Sequence, residues 1–200
     1  MGSGNKGSFD LKPDLQQWAL LAVWESESDF DRFYGNSFIS KWWRLFTGEQ
    51  WTLLCTPLSG RGSWDRKQPF EKDNVNLEYE GPVAVLTRAT IRPGRLRNFW
   101  SNVSRVATIM SRADGFITSF GIGEIPFIKQ ATFSLWRSEA EMKAFAYSSA
   151  DHLEVIRKTR NEQWYSEELF FRFKPVRSIG SLRGIDPFKD HFLTSEFKNK

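Results

Sequence analysis

Few side chains in this 200-residue sequence can bind a metal or attack a substrate, so the search for chemistry is short. There are two histidines, His152 and His191, and one cysteine, Cys55. A single cysteine excludes an internal disulfide and any multi-cysteine metal or iron–sulfur site. Cys55 ends the apolar run Trp51-Thr-Leu-Leu-Cys55 and reads as a buried, inert thiol rather than a nucleophile. His191 lies in the charged tail Asp186-Pro-Phe-Lys-Asp-His191 and reads as solvated. His152 differs. Val155, Ile156 and Thr159 follow it at helical spacing, which puts the imidazole on the apolar face of a helix. There it is either a structural histidine or a ligand able to reach a metal such as a haem iron.

Other schemes find no support. No HExxH and no clustered histidine–carboxylate set points to zinc or non-haem iron. Gly121-Ile-Gly123-Glu124 lacks the third glycine of a dinucleotide loop and reads as a strand-end turn. No G-x-S-x-G elbow is present for a serine nucleophile.

Composition narrows the class further. Eighteen Phe and nine Trp supply enough large rings both to fill a core and to wall an apolar pocket. Net charge is only +4, and basic residues are interspersed with acidic ones apart from Arg92, Arg95 and Arg97. Without a stacking-strand motif beside them, no nucleic-acid partner is expected. No apolar stretch reaches the ~18 residues that span a bilayer. The start, residues 1–8, is polar and lacks the apolar core of a signal peptide, so residues 1–15 read as a flexible N-terminus and the expected location is cytoplasmic.

The elements that must position His152 are clearest over residues 81–184. Val83–Ile91 is rich in β-branched residues and reads as a strand ended by Pro93-Gly94. Leu96, Phe99, Trp100, Val103, Val106 and Met110 then recur at helical spacing up to Gly115. Two strands follow, Phe116–Gly123 and Gln130–Trp136, joined through Ile125-Pro126. Ser138 and Glu141 have capping-box spacing and open a helix that breaks near Ser148-Ser149, continuing as a second segment from about Ala150 to Trp164. Glu168–Lys174 is the last strand, stopped by Pro175.

This β-α-β-β-α-β order is ferredoxin-like, an α+β class with helices on one face of an antiparallel sheet. The first third repeats its second half. Trp24–Phe33 lines up with Trp136–Phe145, Glu49-Gln50-Trp51 with Glu162-Gln163-Trp164, and Gly62-Ser63 with Gly180-Ser181. Residues 16–64 are thus read as strand, helix, strand, a partial ferredoxin-like unit. Residues 65–80 are a connector, 81–184 the complete unit and 185–200 a C-terminal tail. Two such units form a dimeric-type α+β barrel. Because the first unit is truncated, closure falls either to one chain or to a homodimer.

From Gly81 onward the sequence resembles the spheroidene monooxygenase family of carotenoid-oxidising proteins. The phrases that carry the resemblance are Leu86-Thr-Arg-Ala-Thr-Ile-Arg-Pro-Gly94, Gly121-Ile-Gly-Glu-Ile-Pro126 and Gln130-Ala-Thr-Phe-Ser-Leu-Trp136. Phe145-Ala-Tyr147, His152 with Ile156-Arg157, Glu168-Leu-Phe-Phe-Arg-Phe173 and the earlier Arg61-Gly-Ser-Trp64 continue it. The resemblance implies a haem-dependent monooxygenase that binds haem b through His152 and uses dioxygen, an external electron donor and an apolar, carotenoid-like substrate. It further implies cationic partners for the haem propionates, with Arg88 and Arg157 as candidates and ordinary salt-bridging arginines as the alternative. Trp136, Phe145 and Trp164 are the candidate pocket walls, or else core. Another haem-dependent reaction, such as dehydration or nitrogen-bond chemistry, and a non-catalytic haem carrier or sensor stay open. The aromatic run Lys41-Trp-Trp-Arg-Leu-Phe46 departs from the family and is read either as packing on a sheet or as membrane-surface contact.

Overall fold

A computed structural model of the chain describes residues 2–3, 13–70, 79–148 and 150–189; for 2, 3, 13, 148 and 150–153 only the backbone is described. The elements are β1 Gly2–Ser3, β2 Pro13–Asp14, α1 Glu27–Asn36, α2 Phe38–Phe46, β3 Trp51–Gly62 and β4 Val83–Ile91. They continue as α3 Leu96–Ser111, β5 Phe116–Ile125, β6 Lys129–Trp136, α4 Glu139–Ser148, α5 Ala150–Asn161 and β7 Tyr165–Gly180. The sheet order is β2-β1-β5-β6-β4-β7-β3. The chain forms two compact units, Met1–Ala19 with Thr56–Lys174, and Leu20–Cys55 with Pro175–Lys200, so β3 and β7 are each shared between them. The expected flexible start falls largely outside the described residues, as do connector positions 71–78 and tail positions 190–200, including His191.

In the first unit the order β5-β6-β4-β7, antiparallel throughout, is the ferredoxin-like sheet. β4 is one of its two inner strands and is largely apolar on both faces, as an inner strand should be. Val85 packs with Met110 of α3, Met142 of α4 and Trp136, joined by half-buried Val103, Ala107, Phe116, Phe145 and Phe170. Because strand side chains alternate, α3 and α4 both lie on the odd-numbered face of β4, the one-face arrangement the sequence predicts. On the even-numbered face, Phe70 packs against Phe171 and Phe173 at 4.9 and 5.0 Å. The capping box forms: the Glu141 amide donates to Ser138 Oγ at 3.2 Å, and Ser138 Oγ donates to Glu141 Oε2 at 3.0 Å. Gly115, with φ +75°, makes the left-handed turn between α3 and β5.

The second unit copies local devices of the first. Ser26 caps α1 by accepting from the Asp29 amide, and Trp24 packs on Phe33 at 5.0 Å as Trp136 does on Phe145 at 5.2 Å. Two readings need correction. No strand forms over residues 17–24, and two helices, not one, separate Trp24 from β3. Among the described residues that segment has no strand neighbour to form a ladder with. The counterpart of Glu49 is also Glu167 rather than Glu162. Glu49 accepts from Ser181 Oγ and the Arg183 and Gly184 amides, just as Glu167 accepts from Ser63 Oγ and the Asp65 and Arg66 amides.

Gly62 combines φ +96° with an approach to the Glu168 carbonyl that leaves no room for a Cβ. Gly62→Ala should therefore destabilise the fold by about 2 kcal/mol or more. Gly94→Ala, with open space and ordinary φ, should stay within ~0.5 kcal/mol of wild type. Urea unfolding of both variants checks the contrast.

Candidate active site

Alternation along β4 gives the sheet of the first unit two chemically unlike faces, and the even-numbered one holds a charge. Arg88 is fully buried there, yet every nitrogen of its guanidinium is used. Nε donates to Glu124 Oε1 at 2.8 Å, Nη1 to Glu167 Oε2 at 2.7 Å, and Nη2 to Asp65 Oδ1 and Glu124 Oε2, both at 3.0 Å. The Trp64 ring lies 4.8 Å from the guanidinium carbon, and Lys129 completes the cluster at 2.6 Å from Asp65. Burial opposes the charge on Arg88, but the bonds from Glu124 and Glu167 outweigh it and raise its proton affinity. A shallow groove beside the cluster is lined by Ser63, Asp65, Arg66, Thr90, Lys129, Ser166, Glu167 and Glu168.

The odd-numbered face, under the helices, is open at its centre. Thr87 is exposed although it sits mid-strand on β4, between Thr132 of β6 and Phe170 of β7. In the same row β5 offers Gly121, paired with Thr132, and the next odd row offers Gln130 and Gly123. Two glycines and two threonines where an inner strand would carry Val or Ile leave a floor without bulk. The roof is equally loose, for α3 buries only Met110 despite its apolar stripe. Val155, Ile156 and Thr159 of neighbouring α5 are half-buried. At one end Tyr165 meets Phe99 with ring centroids 6.0 Å apart. Burial pushes its phenol up to about 12, against a hydrogen bond with Thr159, so it stays protonated at neutral pH. Arg172 is the cation on this face, opposite Val85, and bonds Glu139 at the start of α4 and Ser59 of β3.

The residues singled out in the sequence separate accordingly. His152 lies in the first turn of α5, one turn before Val155 and Ile156; its side chain is outside the described residues. Arg157 is exposed on the same helix. Arg88 faces away from these helices, with all its nitrogens engaged by Glu124, Glu167 and Asp65. Trp136 and Phe145 do pack together, in the core cluster, with the Trp136 indole donating to Ser134 Oγ at 3.1 Å. Trp164 is buried and donates to Glu162 Oε2 at 2.8 Å, while its neighbour Tyr165 pairs with Ile91. Trp136 pairs with Val83, so the two tryptophans lie at opposite ends of β4, about 27 Å apart along the strand, and do not wall one pocket. Cys55 is free, and burial pushes its thiol up to about 12, in keeping with an inert role. Sequence reasoning passed over Thr87, Thr132, Gly121 and Gly123. Gly121 and Gly123 lie within β5, not in a turn. The available signal was a polar or side-chain-free residue at the inward position of strands otherwise apolar.

The Arg88 cluster predicts a pH dependence. Burial opposes charge on Glu167, but the Arg66 amide, the Ser63 hydroxyl, Arg88 and the Asp65 amide hold its carboxyl at about 2. The unfolded value is about 4.3, so this group stabilises the fold fully above that pH and progressively less as pH falls toward 2. Urea midpoints measured from pH 7 to 2 should fall across this window in the wild type. Glu167→Gln should be less stable at pH 7 and flatter below pH ~4.5; parallel profiles would remove Glu167 as the titrating group.

No protein-family model matches the sequence. The chain is 37% identical over 196 residues to the spheroidene monooxygenase of Rhodobacter capsulatus, covering 98% of this chain and 81% of that protein. It is 36% identical over 184 residues to the spheroidene monooxygenase of Rubrivivax gelatinosus, covering 92% of this chain and 70% of that one. Among solved structures, Rv0793 of Mycobacterium tuberculosis is similar with TM-score 0.43 and 16% identity, over 48% of this chain and 96% of that one. With more than a third of its residues identical along nearly its whole length, the chain belongs to the spheroidene monooxygenase family, a family of monooxygenase enzymes.

Proposed function

We propose that the chain is a haem-dependent monooxygenase acting on an apolar, carotenoid-like substrate with dioxygen and electrons from an external donor. One oxygen atom would enter the substrate and the other would leave as water, two electrons and two protons balancing the reaction. Support for the substrate class is the family's name and the identity to its members. The observation that carries the placement is the exposed Thr87 beneath the helices, an open floor in the middle of a sheet.

The two faces differ in their fit to a haem. The Arg88 face does not fit, because its cation is already neutralised by three carboxylates. The helix face fits. It combines a floor of Thr87, Thr132, Gly121 and Gly123, half-buried apolar residues on α3 and α5, and a helix carrying His152. In this reading His152 would hold the haem iron and Arg157 would pair with a propionate. When bound, the haem would supply the site for dioxygen activation. The chain's own residues do the rest. Phe99, Val155 and Ile156 offer apolar surface to the substrate, and protonated Tyr165 closes one end of the gap. Thr87 and Thr132 offer hydroxyls at the floor, and Arg172, held by Glu139, places positive charge beside it.

The test uses the purified chain titrated with haem. Wild type and His191→Ala should show the same Soret band at one haem per chain, and His152→Ala should lose or shift it without loss of helix content. Thr87→Phe, which fills the floor, should weaken haem or substrate uptake at least about tenfold while melting within a few degrees of wild type. Full haem stoichiometry with an unchanged spectrum in His152→Ala would overturn the ligand assignment. Oxygenase activity without any haem uptake would overturn the cofactor.

A further inference from the structure

Among the described residues, α2 carries an exposed apolar surface that the proposed function does not use. Phe38, Ile39, Trp42, Leu45 and Phe46 recur at helical spacing on this nine-residue helix and are 80, 49, 48, 75 and 64% exposed. Trp42 and Phe46 pack side by side at 5.1 Å. A contiguous exposed stripe of five large apolar side chains is costly in water unless something covers it. α2 stands where α5 stands in the complete unit, but its apolar stripe is left exposed among the described residues. The buried side of α2 is small and polar: Ser40 is fully buried and donates to the Tyr34 carbonyl at 2.5 Å.

Charge decides what the stripe meets. α2 carries Lys41 and Arg44 and no acidic residue. Arg44 bonds the same Tyr34 carbonyl as buried Ser40, at 2.9 Å, so it lies on the polar side of the helix, and Lys41 is the cation at the stripe's margin. Tryptophan, phenylalanine and leucine on one side, with lysine at the margin and arginine on the polar side, is the pattern of a helix lying in a lipid–water interface. We propose that α2 docks on an anionic bilayer surface, its Phe38–Phe46 stripe entering the headgroup boundary and Lys41 meeting lipid phosphates. This rests on α2 alone and is independent of the substrate reading.

The full chain can be sedimented with vesicles of phosphatidylcholine containing about one-third phosphatidylglycerol, and with phosphatidylcholine alone. Wild type should bind the anionic vesicles, with tryptophan emission shifting to the blue, and bind less at high salt. The double variant Phe38→Ser, Leu45→Ser alters exposed positions, so its circular dichroism should match wild type while partitioning falls at least about tenfold. Lys41→Glu should weaken binding several-fold to anionic vesicles only. Should the double variant unfold, Phe38→Ser alone is read in the same way. Equal partitioning of wild type and variant, or none by either, overturns the proposal. So does a change in oligomeric state on substitution without vesicle binding, which would give the stripe to a second copy of the chain.

Discussion

A guanidinium with no access to water, in the middle of an inner strand, is the constraint around which the first unit is organised. Leaving such a charge uncompensated would cost several kcal/mol, and removing one partner of a buried pair typically costs about 3–5 kcal/mol. Arg88 draws its compensation from separate stretches of chain. Glu124 comes from β5, Glu167 from β7 and Asp65 from the turn after β3, with Lys129 of β6 balancing the excess of carboxylates. Charge-assisted bonds of this kind are directional, so they fix not only which strands meet but in which register. A slip of β4 by one residue would turn Arg88 toward the helices and Thr87 toward the carboxylates, reversing both faces at once.

In the proposed function, that register assigns the chemistry to one side. Among the described residues the even-numbered face is filled by charge, and it is the odd-numbered face that lacks bulk at Thr87. Thr87 and Arg88 are adjacent in sequence and do opposite things. Arg88 spends its charge on holding the sheet, and Thr87, by being small, leaves the sheet uncovered. The phrases that carry the family resemblance divide in the same manner. In Gly121-Ile-Gly-Glu124 the glycines lie on the odd-numbered face without adding bulk to it, and the glutamate belongs to Arg88. In Arg61-Gly-Ser-Trp64, Gly62 lets the backbone approach β7, Ser63 bonds Glu167, and Trp64 lies against Arg88.

The architecture was legible because it is written in period and punctuation. Val83–Ile91 matches β4 residue for residue, Gly115 takes the left-handed turn expected of a helix stop, and Ser138 caps α4. The site was legible only in part. Arginine in an apolar strand signals a buried charge, but sequence does not show whether the compensating anion is a ligand or three carboxylates drawn from distant positions. Aromatic residues likewise signal burial without location. Trp136 and Trp164 look alike in sequence, and only strand pairing reveals that they lie at opposite ends of β4. The open floor was not legible because it consists of small residues, whose types carry no chemical signature of a site.

The half-unit shows which parts of this design are separable. Glu49 grips the turn after β7 through the Gly184 and Arg183 amides and the Ser181 hydroxyl, as Glu167 grips the turn after β3. Its carboxyl is likewise held below the usual range, chiefly by the Gly184 amide and the Ser181 hydroxyl. Among the described residues no buried arginine joins it, and the charge that acts on it is that of Arg183 in the turn itself. The glutamate clamp thus closes a turn at the end of a long antiparallel pair without a buried cation from an inner strand. Arg88 serves a further purpose, in binding the clamp to an inner strand and so coupling a surface turn to the register of the sheet. The helices of the half-unit likewise keep the caps and aromatic pairs seen in the complete unit, because these devices are local in sequence and are satisfied by residues within a turn or two of one another.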